Sequence, residues 1–137
     1  MIQRNLEIGR WRVEFYFAPD GYDIDAVLDR LFDFGAGGHT LRKALDLMES
    51  GEPNQGFTFS NPYERVALVM IGPTTDGKQF QNTFVHELRH LINGIASSLG
   101  IDLQGEPASY MTGNTAVELA DIVCRLGCEH CQGGKPI

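Results

Sequence analysis

Residues 11–17, WRVEFYF, alternate strictly: Trp11, Val13, Phe15 and Phe17 fall on one side, Arg12, Glu14 and Tyr16 on the other. A period of two marks a strand with one buried face. Gly9-Arg10 allows a hairpin back onto residues 3–8, although Gly-Arg is a weak turn pair. Pro19-Asp20-Gly21 ends the strand. From residue 23 the period lengthens. Ile24, Val27, Leu28 and Leu31 are spaced for a helix, and Gly35-Ala36-Gly37-Gly38 stops it. A second short helix is expected over residues 40–50, with Leu41, Leu45, Leu47 and Met48 apolar and Gly51 as its stop; His39 helps to open it. Residues 51–62 read as loop, with one short extended piece at Phe57-Thr58-Phe59.

RVALVMIG, residues 65–72, is apolar without a break from Val66 to Ile71, which suits a strand covered on both faces. Pro73 and the Thr74-Thr75-Asp76-Gly77 turn lead into a third helix over residues 78–99, closed by Gly100. Its core stripe is Phe80, Phe84, Leu88, Leu91, Ile92, Ile95 and Leu99. A fourth helix is expected over residues 107–126, with Pro107 at a favoured first position and Gly127 as its stop. No internal repeat or linker interrupts the pattern. The expectation is one α+β domain, a short N-terminal β-sheet packed on a helical layer.

Composition narrows the function classes. A chain of 137 residues can bury a core without staples, and 42% hydrophobic with 21% charged residues is ordinary for a globular protein. A net charge of −7 argues against nucleic acid or an anionic membrane surface as partner, since either calls for a basic patch. The N-terminal MIQRNLEIGRWRVEFYF carries Arg4, Glu7, Arg10, Arg12 and Glu14, and it lacks the apolar core of a signal peptide. No later stretch reaches membrane-spanning length. Three cysteines crowded at the C-terminus are not a disulfide framework, so a reducing, cytoplasmic location is expected.

The chemistry lies in TFVHELRHLING, residues 83–94, which contains His86-Glu87-Leu88-Arg89-His90. On a helix, His86 and His90 project from one side a turn apart, so both imidazoles can reach one ion. Their face differs from the apolar stripe, so the helix can bury the stripe while the histidines line a cleft. Glu87, beside the first ligand, can reach a water on the metal. This is the HExxH arrangement in which zinc polarises a carbonyl and activates water while a glutamate carries the proton. A strand before such a helix can offer an edge to an extended substrate. Two histidines and a water leave the metal one protein ligand short. Asp102, Glu106, Glu118 and His130 are the downstream candidates. Glu106 is favoured: a turn over residues 101–106 returns the chain, and Gly94 and Gly113 would let the two helices approach closely. Asp102 suits a role in shaping the turn, and Glu118 remains the rival.

HELRH followed by a glutamate on a second helix resembles the gluzincin type of zinc metallopeptidase. That resemblance implies a zincin-like fold, with His86, His90 and Glu106 as zinc ligands, Glu87 as general base and a peptide or protein as substrate. The GEPASYMTG segment, residues 105–113, also resembles the E-x-x-x-Y segments after HExxH in small phage- or mobile-element-encoded proteins. The resemblance covers residues 83–113, with a shorter His-to-Glu interval and a smaller chain than the large gluzincins have. Tyr110, a turn after Glu106, could donate a hydrogen bond to the oxyanion of a tetrahedral intermediate.

Each of these residues also has a plainer reading. His86 and His90 could be a polar-face pair, Glu106 a first-turn carboxylate stabilised by the helix dipole, Glu118 a solvated glutamate and Tyr110 a surface tyrosine. Arg89 points away from the histidine face into solvent. Cys124, Cys128 and Cys131 match CxxxCxxC, the spacing of a radical-SAM cluster, but that chemistry needs a far deeper barrel and an early motif. A structural zinc on these cysteines with His130 is handicapped by the adjacency of His130 and Cys131. The plain expectation is one buried helix cysteine and two exposed thiols. The function expected is a small zinc-dependent peptidase; the rival is a non-catalytic zincin-like domain that binds metal or a protein partner.

Overall fold

The computed structural model describes residues 1–21 and 23–128. Four strands and five helices follow in the order β1 (Ile2–Ile8), β2 (Trp11–Phe17), α1 (Ile24–Asp33), α2 (Gly38–Glu49), β3 (Gly56–Asn61), β4 (Val66–Ile71), α3 (Gly77–Leu99), α4 (Glu106–Glu118) and α5 (Ala120–Gly127). This is a small α+β domain.

The weak Gly-Arg pair does turn the first hairpin. Gly9 and Arg10 both adopt left-handed backbone (φ 55° and 68°), as the type I′ hairpin turn requires, and Ile8 pairs with Trp11 across the turn. The sheet order is β1-β2-β4-β3, with β2 and β4 parallel and the outer pairs antiparallel. β4 is therefore interior, and its unbroken apolar run has a physical reason. Ala67, Val69 and Ile71 enter a core with Trp11, Val13, Phe15 and Phe17 against α3 and the helices after it. Val66, Leu68 and Met70 enter a second core with Tyr16 against α1 and α2.

Two expectations about architecture change. The sheet is not N-terminal alone, because β3 and β4 come from the middle of the chain and supply half of it. Helices cover both faces, so the single helical layer becomes two. Half of the stretch expected as loop, residues 51–62, is the strand β3, which extends the short piece expected at Phe57-Thr58-Phe59 to both sides. Its Gly56, Thr58 and Ser60 face α3 at close range, where small residues fit better than large apolar ones, and this leaves only Phe57 and Phe59 as a hydrophobic signal.

α3 starts where Asp76 caps the backbone N–H of Gln79 (2.8 Å) and ends at Gly100 (φ 69°). Phe80, Phe84, Leu88, Leu91, Ile92 and Ile95 are buried as the spacing predicts, whereas Leu99 is exposed. The single helix expected over residues 107–126 is two. Leu119 (φ −103°, ψ 13°) breaks it, and the bend puts that side chain fully into the core. Among the described residues, no helix is long and apolar enough to cross a membrane.

Candidate metal centre

α3 carries the histidines on the stretch beside the sheet's outer strand. Consecutive residues on a helix turn by about 100°, so His86 and His90 share one side and Glu87 is rotated toward β3. The two Nε2 atoms lie 3.2 Å apart, with the rings edge to face and their centroids 4.7 Å apart. The His86 side chain is 67% exposed. Glu87 is the opposite: it is 5% exposed, one of the few buried charged or polar side chains among the described residues.

β3 is the wall against which Glu87 rests. The Thr58 hydroxyl donates to Glu87 Oε1 at 2.9 Å and lies 3.2 Å from the Glu87 backbone oxygen. The other carboxylate oxygen, Oε2, stands 3.9 Å from His86 Nε2. Gly56 makes room: a Cβ there would lie 3.0 Å from Glu87 Cγ and 2.7 Å from the Met70 carbonyl oxygen. Further along, a Cβ on Gly94 would meet Ser60 Oγ at 3.0 Å. The Gly94 approach is therefore to β3, not to α4, and Gly113 has nothing within 4 Å. The strand along the histidine helix is thus β3, and β3 is an edge, whereas β4 is held on both sides.

The donor pair fits a metal. With Zn–N bonds of 2.0–2.1 Å, two ligands of a tetrahedral shell stand about 3.4 Å apart, close to the spacing of His86 and His90. The same distance suits an N–H···N hydrogen bond between neutral imidazoles.

No family model, curated protein or solved structure matches this chain. The site is therefore judged on its own chemistry. Among the described residues, no group of three or more His, Cys, Asp or Glu side chains is gathered in a way that could hold a metal ion. Glu106 is the exposed first residue of α4, two positions before the buried Ala108 and so on nearly the opposite side of that helix. Tyr110 shares its side and is 67% exposed. Glu118 lines a groove with Asn5, Leu6, Glu7 and Ile8 of β1. That is the far edge of the sheet, three strand spacings or about 14 Å from β3.

The remaining candidates settle simply. Asp102 shapes the turn: its side chain accepts from Gln104 N–H and its carbonyl from Gly105 N–H, both at 3.0 Å. Arg89 is exposed and borders a groove between α3 and α4. His39 is the second residue of α2 and lies across a groove from Phe57 and Phe59. Cys124, the helix cysteine expected to be buried, is exposed, and Cys128 is half-buried. His130 and Cys131 lie outside the described residues. Thr58, expected only as part of a short extended piece, and Gly56, expected in a loop, are the two residues of the site that the motif does not mark. The signal was present in GFTFSN, where small residues alternate with two phenylalanines.

Proposed function

We propose that this protein is a zinc-dependent hydrolase, a small metallopeptidase in which His86 and His90 bind the metal and Glu87 is the general base. The observation that carries the reading is the pair of Nε2 atoms 3.2 Å apart with a buried, strand-held carboxylate beside them. Zinc bound there would polarise a substrate carbonyl and acidify a water. The chain does the rest. Glu87 Oε2 takes a proton from the attacking water and returns it to the departing amine. The open edge of β3 offers backbone N–H and C=O groups to an extended peptide. Glu106 as third ligand and Tyr110 as oxyanion donor belong to this proposal through the motif pattern alone. The placement of those two residues on the outer side of α4 favours a second reading, a non-catalytic zincin-like domain that binds metal or a protein partner.

Elemental analysis and a peptide-library digest separate the readings. Purified protein should carry close to one zinc, lost when His86 and His90 are both replaced by Ala. Glu87→Gln should keep the zinc yet cleave about 10²–10⁴ times more slowly, because an amide cannot accept the water's proton. Equal metal content in wild type and the double histidine variant would remove the zinc site. Zinc without chelator-sensitive cleavage would favour the binding domain.

A further inference from the structure

We infer that Thr58 is a positioning residue for Glu87, fixing Oε1 so that Oε2 alone faces the histidine pair; this rests on the hydrolase reading above. The two oxygens of a carboxylate are equivalent until something distinguishes them. Thr58 does so from a different element, 29 positions earlier in the chain, through a 2.9 Å bond to Oε1. Its hydroxyl has one proton. The shorter of its two contacts is the one to Oε1; the competing acceptor at 3.2 Å is a helix backbone oxygen with one of its two lone pairs already taken by the i+4 N–H.

The rest of the strand face serves the same purpose. Gly56 precedes Thr58 by two residues and so points to the same side of β3. A methyl group at Gly56 would press on Glu87 Cγ at 3.0 Å, so the absence of a side chain there allows the carboxylate to seat against the strand. The result is an acid–base group with one oxygen tied and the other 3.9 Å from His86 Nε2. In the proton transfer, a water O–H bond breaks and its proton goes to Oε2, while the water oxygen bonds to the substrate carbon and the carbonyl π pair moves onto the carbonyl oxygen. When that pair re-forms the C=O bond, the C–N bond breaks and Oε2 returns the proton to the amine nitrogen. Oε1 keeps its Thr58 hydrogen bond throughout, so the group does not have to reorient between accepting the proton and returning it.

The test compares Thr58→Val, which keeps the shape, with Thr58→Ser, which keeps the hydroxyl. In the zinc-loaded protein, Thr58→Val should retain zinc affinity and KM within threefold and lose about tenfold to a hundredfold in kcat, the scale on which small misplacements act. Thr58→Ser should recover at least a third of wild-type kcat. In the zinc-free protein, urea melts of Thr58→Val, Glu87→Gln and the double variant should show a coupling of at least fivefold in the unfolding constant. Thr58→Ala repeats the hydroxyl deletion should valine distort the strand. Wild-type kcat in both hydroxyl-less variants, a serine variant as slow as the valine one, or strictly additive melts would overturn the inference while leaving the hydrolase reading intact. Absence of chelator-sensitive cleavage by wild type would overturn both.

Discussion

Arg30 of α1 reaches across to β2 and closes on Glu14, with Nη2 2.6 Å from Oε2 and Nε 3.0 Å from Oε1. The Tyr16 hydroxyl donates to the same Oε1 at 2.6 Å, and the guanidinium sits 5.1 Å from the centre of the Phe34 ring. The alternation of β2 marks Glu14 and Tyr16 as its polar face, but α1 covers that face, so the pair is tied up with a cation rather than solvated. Burial would raise the Glu14 carboxyl. Hydrogen bonds from Arg30 and Tyr16, together with the charges of Arg30 and Arg12, outweigh it and hold the group below its ordinary value. The Tyr16 phenol moves up, through burial first and then its bond to Glu14. A carboxyl lowered by folding adds its stability above the unfolded value, about 4.3 for glutamate, and loses it as the pH falls through the folded value. Glu14→Gln should therefore cost about 1–3 kcal/mol at neutral pH. In urea melts, the gap to wild type should close as the pH drops below about 4.

At the scale of elements, the start of α3 and the end of α5 meet backbone to backbone. A Cβ on Gly77 would lie 2.6 Å from the Gly127 carbonyl oxygen, which also accepts a 2.7 Å bond from Gln81 Nε2. Gly77→Ala should push α5 outward and cost about 1–3 kcal/mol, as overpacking does. Gly113→Ala, in the middle of α4 with nothing within 4 Å, should instead gain about 0.5–1 kcal/mol; both are read from denaturant midpoints. These contacts also explain what could be read from the sequence. α1, α2, α3 and the alternation of β2 were legible because each buries one periodic stripe. The break at Leu119 was not, since a helix pattern persists through a bend that keeps its apolar residues inward. The site divides in the same way. His86, Glu87 and His90 were legible because one helix sets their spacing, while Thr58 meets Glu87 only through tertiary packing. Gly94 is a place of close approach, but to Ser60 of β3 and not to α4, and the small polar Ser60 gives no sign in the sequence that its segment packs on a helix.

For the molecule as a whole, the zinc proposal turns on how α4 is seated. Only Ala108 and Thr115 of its residues are buried. Ser109, Thr112 and Thr115 hydrogen-bond back to their own helix backbone, and an open groove of about 530 Å³ separates α4 from α3. A helix with so few fully buried residues belongs to the low-stability end of a fold, and a metal that drew in Glu106 would have to shift it. If zinc recruits Glu106 in this way, Glu106→Gln should weaken zinc at least tenfold in chelator competition and Glu118→Gln should leave it unchanged. Equal affinities in both variants would leave the two histidines as the protein's only ligands among these candidates. The parallel pairing of β2 with β4 has a separate consequence during synthesis. Trp11, Phe15 and Phe17 leave the ribosome long before β4 exists to pair with β2, and α3 is complete only at Leu99. At about 5–20 residues per second, that interval is roughly 4–16 s. The newborn hairpin spends those seconds with its aromatic face uncovered, and its strand edge stays unpaired until β4 is made about 3–11 s after β2, so the yield of folded protein in a cell should depend on chaperones that shield nascent chains.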